Sequence, residues 1–564
     1  MVIPYLTRQA IDSIDQSADP NEAMARIATF ASGIIAIAIV QGLVRTISRI
    51  VIFNTGRDIE YEIRNDLFHH LETLPQSFYQ SQRTGDLMSR LVNDISAIRL
   101  TLGPGILTFI NTPLYCIYAF SLMLLMDVQL TLAAMLPFPI LLWVVKHYSA
   151  AMMEATMRTQ ERLAEISAYV QENIAGIHVI KAYVREDART AEFVELNEQF
   201  KDRSMDVAKL RGRVFPFIRI VSSLGILIVL YYGGTKVVAG SLTLGELVAF
   251  IAYLHILAWP IMALGWMMSI YQRGKAALHR LGEIFDTVPD IDSPTDGHCP
   301  DSMRGEIVFN SVDFAYPSAE NGAPGSPAAT NGDGVLHDLS LRVPAGSRLG
   351  VIGRTGSGKS SMAMLIPRLF DVGSGQVTID GVDVREWDLH SLRSRIGFVP
   401  QDPFLFSSTI EQNIEFANDN VSSSELSRLI ELSALDSDLR EFPHGIDTEV
   451  GERGVTLSGG QKQRLTLARA IARDPRILIL DDSLSSVDAA TERRILEGLE
   501  EVMEGRTAII ISHRVSAVRS SDQIAVVDEG RILELGTHDE LVAHGGLYAG
   551  LYKNQRLTEE IEAM

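Results

Sequence analysis

Cysteine is nearly absent from this chain: Cys116 and Cys299 are the only two in 564 residues. One lies in an apolar run and the other in an interdomain stretch, without metal-ligand spacing or any sign of being a pair, so a disulfide framework and a cysteine-rich zinc fold are both excluded. Positive charge is also in deficit. The formal net charge of −20 argues against a nucleic-acid binder, which carries a basic patch or stripe. Phosphate binding survives that argument, because a nucleotide site can be built from backbone N–H groups and a single lysine. A cleavable signal peptide is missing as well, since residues 1–20 lack a basic start followed by an apolar core.

Hydrophobic residues make up 46% of the chain, and they are unevenly spread. The first half carries long apolar runs, whereas the second alternates charged helical patterns with short apolar strands. A membrane domain followed by a soluble domain explains that split. A bilayer span takes roughly 20 mostly apolar residues, and five segments qualify: 27–53, 100–126, 129–148, 214–238 and 245–270. Tight turns at 127–128 and 239–244 alternate with long helix-patterned joins at 54–99 and 149–213.

Basic residues collect at the long joins and the span ends beside them: Arg45, Arg49, Arg57, Arg64, Arg83 and Arg90 at one, Lys146, Arg158, Arg162, Lys181 and Arg185 at the other. The positive-inside rule therefore puts both long joins, and the C-terminal half with them, in the cytosol. An odd number of spans leaves the N-terminus outside. The opening MVIPYLTRQAI reads like the last turn of a helix whose earlier part is missing, so a further span is expected upstream.

The expected division is a membrane domain over 1–287, a Pro- and Asp-rich linker over 288–304 and a soluble domain over 305–564. The Gly-, Pro- and Ala-rich stretch 319–334 cannot pack a core and is expected to be a flexible surface insertion.

The strongest chemical signal is Gly353-Arg354-Thr355-Gly356-Ser357-Gly358-Lys359-Ser360, which fits G-x-x-x-x-G-K-[ST] between an expected strand and an expected helix. Glycines let the backbone wrap phosphates, and a helix N-terminus supplies unpaired N–H groups at its positive end. Lys359 would meet the β- and γ-phosphates and Ser360 a magnesium ion. The apolar run 477–480 ending in Asp481 and Asp482 reads as a buried parallel strand that delivers a carboxylate to its C-terminal end. Asp481 is then the magnesium-side group. That pattern alone is weak, because buried strands often end in Asp. Between the two lies Leu457-Ser458-Gly459-Gly460-Gln461 opening a helical pattern, a second anion site, which suggests that one of the two serves a nucleotide bound elsewhere.

The ordered set GRTGSGKS, VPQDPFLFSSTIEQNI, TEVGERG, LSGGQKQR, ILILDD, SSVD and ISHR resembles the ATP-binding cassette (ABC) of the exporter class. GDLMSRLVNDI and ENIAGIHVIKAYVRED are similar to that family's two cytosolic loops. The resemblance implies an α-helical polytopic membrane domain followed by an α/β P-loop NTPase domain of the ABC type, binding ATP with Mg2+. It places coupling helices near 77–85 and 181–187. It also implies that Tyr316 stacks on adenine, that Ser361 joins the phosphate loop, and that Gln401 senses magnesium and the γ-phosphate, which His513 also contacts. Two cassettes close head to tail, so Leu457 to Gln461, with Asp488 in the dimer loop, would touch the ATP held by a partner.

One position departs from the family, which expects Glu after the magnesium Asp to polarise the attacking water. This chain has Asp482, one methylene shorter, which withdraws the base by about 1.5 Å. ATP should bind while hydrolysis at this site is slow. In the family such a change marks one subunit of a heterodimer, and that is the stronger reading. A homodimer with an adequate Asp is the other.

The expected whole is an inner-membrane, multi-pass half-transporter. It couples ATP to export of an amphipathic small molecule or lipid, with a second half-transporter and the bilayer as partners and no nucleic acid. The rival from another class is a regulatory or channel-like protein gated by ATP. Asp482 gives it some support, but no long regulatory insert is visible.

Overall fold

The computed structural model describes residues 2–15, 20–317, 334–451 and 457–562. The expected insertion at 319–334 lies outside them except for Gly334, as do residues 452–454 of the TEVGERG segment. The chain divides into two compact units, one of residues 1–67 and 88–282, the other of residues 68–87 and 283–564.

The first unit is helical throughout. Helix α1 (Val2–Asp15) is followed by α2 (Pro20–Thr73), a single helix of 54 residues. In chain order α3 (Gln76–Ser81) and most of α4 (Thr84–Ser89) belong to the second unit, and the first continues with α5 (Ile95–Leu100), α6 (Ile106–Met126), α7 (Val128–Met135), α8 (Phe138–Ala175), α9 (Ile177–Ala182), α10 (Glu186–Ile228), α11 (Gly234–Val238) and α12 (Leu244–Phe285). Single π-helical turns at Arg90–Asp94, Thr101–Gly105 and Val229–Gly233 join neighbours into longer rods. Among the described residues four stretches are long and apolar enough to cross a membrane: Met24–Thr73, Thr84–Met126, Val128–Ala175 and Glu186–Val238. A shorter apolar run, Leu244–Leu257, lies within α12.

The expected span 129–148 is interrupted at Leu136 and Pro137, where α7 gives way to α8. The second coupling helix was expected at 181–187. In that stretch the six-residue helix α9 ends, and the chain turns through Val184 at φ 51° before α10 begins. In the stretch 77–85, where the first was expected, lies the six-residue helix α3 behind Pro75.

Apolar side chains of α6, α7 and α12 form the buried cluster of this unit, around Met123, Leu130, Phe250 and Tyr253. Polar ties close its ends. Asp127 caps α7 through the Leu130 amide (2.7 Å) and receives Lys236 Nζ at 2.5 Å. Arg280 meets Asp94 with two parallel bonds, at 2.8 and 2.5 Å. The outer stripe Ile35, Ile39, Leu43 and Ile47 of α2 stays more than half exposed, a surface whose natural solvent is lipid or another apolar helix.

The second unit contains two main sheets. Strands β1 (Ile307–Phe314), β2 (Leu336–Val343), β4 (Ser374–Ile379) and β5 (Val382–Asp383) form an antiparallel sheet in the order β2-β1-β4-β5, while β3 (Arg348–Gly353) belongs to the larger one. With β6 (Ile396–Val399), β9 (Ile477–Asp481), β10 (Thr507–Ile511), β11 (Gln523–Asp528) and β12 (Arg531–Gly536), that sheet runs β12-β11-β3-β10-β9-β6. The pairs among β11, β3, β10, β9 and β6 are parallel, and β12 adds an antiparallel edge. A two-stranded ribbon of β7 (Ser408–Thr409) and β8 (Glu449–Val450) completes the unit.

All five residues of β9 and of β10 are buried. Ile477, Ile479, Ile509 and Ile511 face one core cluster, with Phe309 and Trp387, whereas Leu478, Leu480, Ala508 and Ile510 face the other, with Leu465 and Tyr548. A period of two with both faces covered is what a parallel sheet between layers demands.

The expected linker is stitched to this unit. Ser293 Oγ accepts the Leu389 amide at 2.8 Å, the His298 amide donates to the Glu386 carbonyl at 2.8 Å, and the His298 ring meets buried Trp387 edge-on at 4.8 Å.

Candidate functional site

The C-terminal ends of β3, β10 and β9 lie side by side, where open α/β sheets bind ligands. The phosphate loop leaves β3 and enters the helix Lys359–Leu365 through Gly358, at φ 97°. The φ of 97° itself favours glycine, and a Cβ there would also crowd the Val335 carbonyl at 3.0 Å. Asp481 ends β9 opposite Ile511, the last residue of β10, and His513 follows two residues later. These elements surround a cleft of about 310 Å³ lined by Thr355 to Ser361, Tyr316, Gln401, Asp481, Asp482 and His513. The sequence had brought together all of these from segments up to almost 200 residues apart.

Lys359 is 6% exposed, and its ammonium donates to the carbonyls of Gly353 (3.0 Å) and Arg354 (2.7 Å). Burial pushes its pKa below the usual lysine value, against the pull of Asp481, Asp482 and Asp528. A cation already desolvated in a loop of backbone amides is poised for a polyanion. Asp481 is 1% exposed and accepts the Ser360 hydroxyl at 3.0 Å. Burial raises its pKa, the neighbouring Asp482 charge adds to the rise, and the Ser360 hydrogen bond, Lys359 and His513 oppose it. A hydroxyl and a carboxylate, both hard oxygen donors, fit Mg2+, which keeps waters and substrate phosphates as its remaining ligands.

Tyr316 follows β1. Its hydroxyl lies 2.9 Å from Ser361 Oγ, and its ring meets Phe314 and Phe370 edge-on at 5.0 and 5.2 Å. Asp482 stands at φ 44°, its amide donating to the Ile511 carbonyl at 2.9 Å and its carbonyl accepting Ser485 Oγ at 2.9 Å.

Leu457 to Gln461 and Asp488 lie outside this cleft. Ser458 caps the helix Gly459–Ala472 with a reciprocal capping box: its Oγ accepts the Gln461 amide and Gln461 Oε1 accepts the Ser458 amide. A Cβ on Gly460 would sit 2.8 Å from the Ser486 carbonyl, so this glycine lets the helix start abut the Ser486 turn. Asp488 caps the next helix, Ala489–Met503, through the amides of Ala490 and Thr491, and the Thr491 hydrogen bonds hold its pKa low.

Four residues that the motif reading passed over hold these parts together. Gln463 is buried, donates to Ser485 Oγ at 3.0 Å and accepts the Ser486 amide at 3.1 Å. Arg514 reaches the carbonyls of Ser485 and Val487 and pairs with Glu492. Asp438 receives Gln461 Nε2 at 2.9 Å and Arg464 at 2.6 Å. Gln555 bonds the backbone around His513. Gln463 lies in the LSGGQKQR run and Arg514 in ISHR, which were the local signals for these two; Asp438 and Gln555 had none.

A family profile described as the ABC transporter transmembrane region matches residues 1–261, and one described as ABC transporter matches residues 336–485. The chain is 38% identical over 509 residues to the probable multidrug resistance ABC transporter ATP-binding/permease protein YheI of Bacillus subtilis, covering 90% of this chain and 84% of that protein. It belongs to the ABC transporter family.

Two further comparisons extend the ABC transporter likeness along the chain. The multidrug resistance-like ATP-binding protein MdlA of Escherichia coli is 36% identical, over 93% of this chain and 87% of that one. A solved bacterial Atm1-family ABC exporter with ATP bound superposes at a TM-score of 0.80 and 27% identity, covering 98% of this chain and 95% of that one. The protein is thus an ABC exporter chain, with a multi-span membrane domain fused to a cytoplasmic ATP-binding domain that couples ATP hydrolysis to transport. Domains of this type use ATP, generally with Mg2+.

Proposed function

We propose that this chain is one subunit of a heterodimeric exporter of an amphipathic small molecule or lipid, and that it carries the slower of two ATP sites. Its membrane domain is taken as 1–287, its linker as 288–304 and its cassette as 305–564. In the cleft, Tyr316 stacks on the adenine, the loop Gly353–Ser361 wraps the phosphates, and Lys359 neutralises them. Ser360, Asp481 and Gln401 hold Mg2+, which supplies charge compensation on the phosphate oxygens when bound. Gln401 and His513 read the γ-phosphate.

The observation that carries the heterodimer reading is Asp482. Its main chain is pinned at the amide by Ile511 and at the carbonyl by Ser485, so the backbone cannot advance to make up for the missing methylene. A general base must sit about 2.6–3.2 Å from its proton, and a misplacement of about 1 Å costs on the order of a hundredfold. The intact signature start supports the other half of the reading. Ser458 Oγ accepts the Gln461 amide and keeps its own O–H free to donate to a γ-phosphate bound by the partner.

Steady-state ATPase of the purified pair tests the assignment. Asp482→Glu should raise turnover at this site with ATP affinity nearly unchanged. Ser458→Ala removes a donor to a developing anion, worth on the order of 10²–10³ in rate, and should depress the main activity. Asp482→Asn should cost the pair far less. If Asp482→Asn abolishes turnover while Ser458→Ala leaves it near normal, this chain owns the working site and the reading is wrong.

A further inference from the structure

The C-terminal helix Leu547–Glu562 carries none of the nucleotide motifs, yet one of its side chains grips the turn that bears His513. Gln555 Nε2 donates to the His513 carbonyl at 2.6 Å, and Gln555 Oε1 accepts the Val515 amide at 2.7 Å. One partner is a carbonyl and the other an N–H, so a single orientation of the amide serves both.

The helix presenting Gln555 is itself fixed. At its start Glu534 accepts the amides of Leu547 (2.5 Å) and Tyr548 (3.3 Å). The Tyr548 ring is fully buried, and its hydroxyl lies 2.7 Å from His538 Nδ1. On the far side of the same turn Arg514 is tied to Glu492 and to the carbonyls of Ser485 and Val487. The main chain of His513 and Val515 has its side-chain anchor in Gln555.

We infer that Gln555 is a positioning residue for His513, holding the turn so that the imidazole meets the γ-phosphate end of the cleft. The inference rests on the reading of His513 as the γ-phosphate contact. Its signature is selectivity. Loosening the turn weakens what is made to the third phosphate and leaves contacts to the first two, so ATP suffers and ADP does not. A side chain with only a structural role would weaken both nucleotides together.

The test is photolabelling of the full-length chain in membrane vesicles by a photoreactive ATP analogue, competed by ATP and by ADP in the presence of Mg2+. Gln555→Ala should lower the preference for ATP over ADP by about three- to tenfold, the worth of one or two neutral hydrogen bonds, with the ADP midpoint unchanged. Gln555→Glu keeps the shape and the acceptor but sets a carboxylate oxygen against the His513 carbonyl, and should fall in the same direction. Lys553→Ala, an exposed change on the same helix, should leave the ratio alone. His513→Ala should lower the ratio at least as far as Gln555→Ala. If His513→Ala lowers it and Gln555→Ala does not, the Gln555 inference fails while the His513 reading stands. If Gln555→Ala weakens ATP and ADP equally, its role is structural and the inference is overturned. An unchanged ratio in His513→Ala overturns the His513 reading and the inference with it.

Discussion

Asp481 illustrates how a carboxylate buried at the cleft strains the fold that holds it. It is almost fully buried at the end of a central strand, and burial lifts its pKa above the ordinary carboxylate value. A carboxyl with a raised folded pKa favours folding below its unfolded value, near pH 4, and loses that contribution as pH rises through the folded pKa. At neutral pH the ionised group is therefore a cost to the nucleotide-free protein. Asp481→Asn should raise the thermal midpoint of the nucleotide-free protein at pH 7.5 by about 2–4 °C, with the gap closing toward pH 4. The same variant should lose the extra stabilisation that ATP with Mg2+ gives the unaltered chain, a loss that EDTA should reproduce in the latter. A lower midpoint at neutral pH would show the charge compensated within the fold. Lys359, Ser360 and Asp481 were legible because their chemistry sits in contiguous motifs. The contacts of Gln463, Arg514 and Gln555 were not, because their partners lie 22 to 42 residues away, and a side-chain amide reaching a loop leaves no periodic trace.

At the scale of elements, the signature helix Gly459–Ala472 depends on more than its capping box. Asp438 takes Gln461 on one oxygen and Arg464 on the other, with both charged side chains about nine-tenths buried. Removing one member of a buried pair leaves the other unpaired, at a cost of about 3–5 kcal/mol. Asp438→Ala should therefore lower the thermal midpoint of the detergent-solubilised protein by several degrees, whereas exposed Asp447→Ala should not. Equal midpoints would mean that Arg464 finds another partner. Element type was well marked in the sequence: apolar runs of about 20 residues fall on helices, and period-two runs fall on strands. Element length was not. Helix α2 runs on unbroken past the end of the apolar run at Phe53 to Thr73, because residues 54–73 contain no proline and a lone glycine; the join was read as helix-patterned, but nothing in its hydropathy showed that it continues the same helix.

Across the whole molecule, charge decides orientation. Arg57, Arg64 and Arg99 converge on the nearly buried carboxylate of Glu60, so the cationic end of these helices is a fixed cluster as well as a bias in composition. At the opposite helix ends Lys236 is neutralised by Asp127, and Arg8 by Glu246 and Asp12. Among the described residues net positive charge thus collects at the ends joined by the long connections, which the positive-inside rule assigns to the cytosol. Two cysteines make the test simple. With Cys116→Ala and Cys299→Ser as background, Ser241→Cys and Lys181→Cys each introduce one exposed thiol, the first between α11 and α12 and the second at α9. A membrane-impermeant maleimide should label the Cys at 241 in intact cells. It should reach the one at 181 only after permeabilisation. Labelling at 181 in intact cells, with 241 protected, would put the long joins outside and separate the ATP-binding domain from its nucleotide. Reversal of both sites is the outcome that the Glu60 cluster and the neutralised Lys236 argue against, since three arginines share one carboxylate there and reversal would carry that excess positive charge across the bilayer.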